Sequence, residues 1–189
     1  IVHLPSYSVA DIERTIKKAA GEGDKNTYET NVYEGYGPNG VAVIVETLTD
    51  NKNRTAGDVR HYFDKCGGNL GQSGSVMFMF ERKGIIVIEA EGLDEETVME
   101  AALEAGADDF EFDGEIFEIS TEPNDLGQVR DALEEKGYSF VSAEVCYVPS
   151  TMSQIDDQDM IVKMEKLINM LEENDDVQAV WHNWEMPEE

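Results

Sequence analysis

Residues 41–80 spell out a strand, a helix and a second strand, and the same order returns over 145–181. Residues 41–45 are an unbroken apolar run between turn-rich segments, the pattern of a strand covered on both faces. Over about 55–66, Ala56, Val59, Phe63 and Cys66 recur at helical spacing, while Arg54, Asp58, His61 and Lys65 form the outer stripe. An apolar run at 76–80 predicts the returning strand. The later half has a strand at 145–148, a helix over about 157–172 with Ile161, Met164, Ile168 and Leu171 inward, and a last strand at 177–181. One β-α-β unit leaves sheet surface and strand edges uncovered, so the two halves need each other.

Between them lies a pattern sufficient in itself. A strand at 85–89 precedes a helix over about 94–105, then Phe110 and Phe112 alternate with acids before the hairpin signal Asp113-Gly114. A strand at 116–120 follows. A helix marked by Leu126, Val129 and Leu133 ends at Gly137, and a strand starts near Tyr138. The order β-α-β-β-α-β is ferredoxin-like. The chain therefore reads as α+β, with two ferredoxin-like α/β domains. Residues 84–142 are inserted into a discontinuous domain made of 28–83 and 143–189. Three consecutive small units are the alternative, and the turn at Lys83-Gly84 favours insertion. Residues 1–27 read as the remnant of an N-terminal helical domain. There Ser8 caps a helix, Val9, Ile12 and Ile16 face inward, and Arg14, Lys17 and Lys18 share the other side. A first residue of Ile fits a truncated or processed chain.

Charge restricts the partners. The formal net charge is −27, which repels DNA, RNA and anionic lipid unless cations gather locally. They do. Residues 1–83 hold ten basic and eleven acidic side chains, against four and thirty over 84–189. Cys66 and Cys146, the two cysteines, read as reduced thiols. No apolar run approaches the roughly 20 residues of a membrane span, and no signal peptide opens the chain, so a cytoplasmic protein with no membrane partner is expected.

Lys52, Arg54, Arg60, Lys65, Arg82 and Lys83, with His61, lie on or beside the first β-α-β unit. Arg54, His61 and Lys65 on one helix face could contact phosphates. Alternatively the face is merely solvated, with Arg54 and Lys65 paired to Asp58 and Asp64. The loop of residues 67–74 has two GxxG spacings, so Gly67, Gly68, Asn69, Gly71 and Gly74 could let a phosphate approach backbone N–H groups. It reads more readily as a helix C-cap and connection, and it lacks the motifs of ATP- or NAD-binding loops. Asp109-x-Glu111-x-Asp113-Gly114 is no calcium loop, since Ser120 stands where that motif needs Glu. Asp156, Asp157, Asp159, Asp175, Asp176 and His182 have no metal-ligand spacing and read as a helix cap and a turn. No nucleophile–base pairing stands out. No metal, cofactor or catalytic residue is expected.

Residues 33–38 (Tyr-Glu-Gly-Tyr-Gly-Pro), 41–45, 50–55 (Asp-Asn-Lys-Asn-Arg-Thr), Val59-Arg60, 67–70 and 74–76 resemble, in order, the pattern of the YebC/PmpR family. Residues 148–151, 175–178 and His182-Asn183 match as well, so the likeness runs from about Asp11 to Asn183. It implies three domains, a helical one and two α/β ones with the third inserted in the second. It also implies a cytosolic, non-enzymatic regulator of gene expression. Some members are described as DNA-binding transcriptional regulators, others as ribosome-associated translation factors that activate translation or relieve stalling. Its partners would be DNA or ribosomal RNA, and the ribosome. Asn39 stands where the family usually has Gly, and Asn tolerates the positive φ that such a turn needs. A small-molecule-sensing module is the remaining alternative, because paired ferredoxin-like domains can hold ligands at their interfaces.

Overall fold

The computed structural model describes residues 27–187. In chain order the elements are β1 (Glu29–Tyr36), β2 (Ala42–Thr49), α1 (Lys52–Lys65), β3 (Asn69–Leu70), β4 (Phe80–Glu89), α2 (Glu95–Ala105), β5 (Asp109–Phe112) and β6 (Ile116–Thr121). After them come α3 (Leu126–Glu135), β7 (Ser142–Pro149), α4 (Gln158–Glu172) and β8 (Val177–His182). They build an α+β fold with two four-stranded antiparallel sheets, ordered β3-β1-β2-β8 and β5-β6-β4-β7. The second sheet forms entirely from chain that leaves the first after β3 and returns before β8, so one domain is inserted in the other. By contacts the described residues group into 27–80 with 149–187, and 81–148.

In the outer unit β1 and β2 form a hairpin in unbroken register from Glu29↔Thr49 to Tyr36↔Ala42. Its turn runs through Pro38–Gly40, with Asn39 at φ 58° and Gly40 at φ 75°, so Asn fills the left-handed position as expected. Val41, Val43 and Val45 meet Val59 and Phe63 of α1 and Met164, Leu167 and Leu171 of α4 in one buried cluster. Of the expected inward residues Val59, Phe63 and Cys66 are buried, while Thr55 takes the place of Ala56 because it has buried polar partners.

Two segments differ from the sequence expectation. The strand expected over 76–80 is a short 3-10 turn at Met77–Met79, and β4 begins only at Phe80. The apolar run at 145–148 is part of β7 and lies beside β4 in the second sheet.

In the inserted unit the strand–helix order is the expected one. Ile86, Ile88, Phe117 and Ile119 of the sheet bury against Val98, Ala101, Val129 and Leu133 of the helices. Asp94 caps α2, accepting the Thr97 N–H at 3.0 Å and its hydroxyl at 2.7 Å, and Gly106 ends the helix at φ 102°. Asp113 Oδ1 accepts the N–H groups of Glu115 and Ile116, both at 2.8 Å, and so shapes the β5–β6 hairpin. Phe110 and Phe112 pack on Phe117 with ring centroids 5.4 and 4.8 Å apart.

Candidate nucleic-acid interface

Helix α1 starts where Asn51 caps it, its Oδ1 accepting the Arg54 N–H at 3.1 Å. Beneath the first turn lies the buried carboxylate of Asp176. Its Oδ2 accepts from the Thr55 hydroxyl at 2.9 Å, the Thr49 hydroxyl at 3.2 Å and the Arg54 guanidinium at 2.8 Å. The same guanidinium nitrogen reaches Asp50 at 3.0 Å. Its hydrogen bonds to Asp176 and then to Asp50 hold the Arg54 pKa above its ordinary value. Arg54 is thus neutralised by Asp50 and Asp176, not Asp58, and ties the helix to the segment that enters β8.

The other cations of α1 are placed differently. Lys52, Arg60, His61 and Lys65 are exposed, and among the described residues no carboxylate lies within ion-pair distance of Lys52, Arg60 or Lys65. At about 100° per residue, Arg54, His61 and Lys65 fall along one line and Arg60 about 120° round from it, while Lys52, the first residue of the helix, falls about 160° away, on the side of Val59 and Phe63. Arg60, His61 and Lys65 therefore spread over the outer half of the helix, and Lys52 stands exposed at its first residue. Arg82 and Lys83 belong to β4. Lys83 pairs with Glu81 at 3.5 Å and Arg82 lies 5.9 Å from the centre of the Tyr147 ring. Arg14, Lys17 and Lys18 lie outside the described residues.

The Gly-rich loop is mostly consumed internally. Asn69 and Leu70 form β3 against Tyr36 and Gly35, so its first half is a sheet edge. A Cβ at Gly68 would collide with the Tyr36 carbonyl oxygen, which explains Gly there. The N–H of Gly67 donates to Asp64 O at 3.3 Å, that of Gly68 to Phe63 O at 2.9 Å and that of Gly71 to Glu34 O at 2.8 Å. The Gly74 N–H donates to Glu34 Oε2 at 2.6 Å, while Glu34 Oε1 accepts from Val76 at 3.1 Å and Met77 at 2.7 Å. Glu34 is buried. This part of the loop receives the protein's own carboxylate in the way such a loop would receive a phosphate. Diverting the N–H groups of Val76 and Met77 to Glu34 is what keeps 76–79 out of a sheet.

Glu34 and Asp176 were not legible as key residues in the sequence. Only the pairing of β1 with β2, which sets Glu34 opposite the wholly buried Ile44, reveals its position. Cys66 and Cys146 are free and buried, and burial raises the Cys66 thiol pKa although Lys166 and Lys65 pull the other way. Asp157 caps α4 through the N–H groups of Asp159 and Met160, and His182 Nδ1 accepts the Trp184 N–H at 3.2 Å. Among the described residues no three His, Cys, Asp or Glu side chains gather as a metal site, and no helix is long and apolar enough to cross a membrane.

The fold and the charge pattern define an α+β protein of two four-stranded units whose unpaired helix cations stand out against an acidic whole. The chain belongs to the TACO1/YebC family: a family model described as "TACO1/YebC second and third domain" matches residues 28–184. A probable transcriptional regulatory protein of Finegoldia magna is 62% identical over 175 residues, covering 93% of this chain and 73% of that protein. One from Clostridioides difficile is 56% identical over 177 residues, covering 93% and 74%. The crystal structure of a conserved hypothetical protein from Aquifex aeolicus superposes with a TM-score of 0.82 at 48% identity, covering 94% of this chain and 73% of that one.

Proposed function

We propose that this chain is a cytoplasmic, non-enzymatic regulator of gene expression that binds nucleic acid through the exposed cations of α1. The observation carrying the reading is that Lys52, Arg60 and Lys65 stand exposed without carboxylate partners in a chain of net charge −27. Where acids outnumber bases almost three to one, cations left unneutralised on one helix are a feature with a cost to solubility but a use against phosphate. Arg54 contributes by fixing the helix, His61 by a further donor along the helix, and Arg14, Lys17 and Lys18 by further positive charge. The relatives' description as probable transcriptional regulators supports DNA as the target.

A second reading is favoured by the charge partition. Residues 84–189 carry four basic and thirty acidic side chains, which repel a duplex. A ribosome offers both RNA and basic protein tails, so a ribosome-associated translation factor suits an asymmetric molecule. Crosslinking in cells followed by sequencing of the bound nucleic acid separates the two. Promoter reads support transcriptional control and ribosomal RNA reads support translation. Recovery no higher from the intact protein than from a Lys52→Gln/Arg60→Gln/Lys65→Gln variant overturns both.

A further inference from the structure

We propose that Phe78 is a base-stacking platform for single-stranded RNA, held in place by the buried carboxylate of Glu34. The inference rests on the reading of the chain as nucleic-acid-binding and adds a second contact element to the cations of α1.

Phe78 is 74% exposed, more than any other large apolar side chain among the described residues. The backbone that carries it is nonetheless fixed from several sides. Glu34 binds the N–H groups of Gly74, Val76 and Met77. The Met79 N–H donates to Val76 O at 3.0 Å, the Ser150 N–H to Met79 O at 2.9 Å and the Tyr36 hydroxyl to Ser75 O at 3.1 Å. A ring displayed in water on an ordered turn is prepared for a partner, because binding there loses little conformational freedom.

The surroundings select the partner. Residues 65–80 contain no Asp or Glu, although the chain has 41 of them, and Lys65 is the single charged residue of that stretch. Glu34, which reaches into the stretch, is buried with both oxygens engaged. A basic protein partner would find no counter-charge within the stretch, and a polyanion meets no acidic side chain there between Asp64 and Glu81 at its two ends. Gln72 and Ser73 are exposed, and their N–H groups have no acceptor among the described residues. Gly74 and Met77 share one carboxylate, so the turn bearing Phe78 and the tip bearing Ser73 are carried on the same anchor. A base on the ring and a phosphate on the free N–H groups are the two contacts a single strand would make. A duplex keeps its bases stacked, so the ring suits an unpaired base, and splayed unpaired bases belong to RNA loops and single strands.

The test is fluorescence anisotropy of the complete protein with a labelled uridine oligonucleotide of about twenty nucleotides, a deoxythymidine counterpart and a DNA duplex. Phe78→Ala is expected to weaken uridine binding about tenfold or more. The slope against salt should stay unchanged, since stacking releases no counterions. Phe78→Trp should restore the affinity. Glu34→Gln should weaken the wild-type background and leave the Phe78→Ala background unaltered, which a general loss of fold would not do. Unchanged affinity in Phe78→Ala, with affinity lost when Lys52, Arg60 and Lys65 become Gln, overturns the platform and leaves the cation reading standing. Equal or tighter binding of the deoxythymidine strand or the duplex overturns the RNA assignment, and absence of binding to all three probes overturns both readings.

Discussion

Asp176 and Arg54 illustrate why a charged residue's role is hard to read from its neighbours in sequence. The partner of Arg54 lies at a separation of 122 residues, beneath the helix rather than along it. Replacing Asp176 by Ala would leave Thr49, Thr55 and Arg54 without their shared acceptor. A loss of about 2–4 kcal/mol is expected, from unsatisfied buried donors and a broken charge pair. Urea unfolding measures it, and a loss below about 0.5 kcal/mol, the range of ordinary surface substitutions, would contradict the account. The glycines give an opposed pair. At Gly57, on the outer side of α1, an added Cβ meets nothing within 4 Å, so Gly57→Ala should stabilise by about 0.5–1 kcal/mol. Gly68→Ala should destabilise, because the Tyr36 carbonyl belongs to a paired strand and cannot retreat. Thermal unfolding of both variants checks the signs. The sequence shows two GxxG spacings and suggests a phosphate loop. Only coordinates reveal that Glu34 already fills part of it, because that contact joins residues 40 or more apart.

Among elements, the inserted unit was the most legible. Its strands alternate or run apolar, its helices carry inward stripes, and its turns use Asp113-Gly114 and Gly137 as turn chemistry demands. β1 was not legible as a strand, since Glu29, Thr30, Asn31, Glu34 and Gly35 dilute its pattern even though it pairs on both sides. Residues 76–80 failed in the opposite sense: a strong apolar run that side-chain capture of its N–H groups bends into a turn. The same local chemistry sets a pH dependence in the inserted unit. The Thr97 hydroxyl and N–H lower the Asp94 pKa, the Ile116 and Glu115 N–H groups lower that of Asp113, and Lys136, 2.6 Å away, lowers that of Glu104. Each folded pKa lies below its unfolded value, so the stabilisation is present above the ordinary carboxylate range near about 4 and is lost as pH falls through the folded values. Acidification also relieves the repulsion of a very acidic chain, so the informative quantity is a difference. Wild type should exceed Asp94→Asn/Asp113→Asn in melting temperature at neutral pH, with the gap closing below about pH 4. A gap that widens on acidification would contradict the assignment.

For the whole molecule, composition was visible by counting and insertion because a complete pattern interrupts another, although the flanking runs at 76–80 and 145–148 are a 3-10 turn and part of the second sheet rather than strands of the first. The strand over 145–148 was harder to place, since an apolar run of that length pairs equally well on paper with either sheet. What composition could not decide is whether the few cations are spent internally. Arg54 is; Lys52, Arg60 and Lys65 are not, and on them the functional account stands. The direct measurement is nucleic-acid affinity as a function of salt for the wild type and for Lys52→Gln/Arg60→Gln/Lys65→Gln. Three phosphate contacts contribute a slope of about 2–3 in the log–log plot. The account predicts that the variant's slope is shallower by that amount at an unchanged melting temperature, and an equal slope in the two proteins would contradict it.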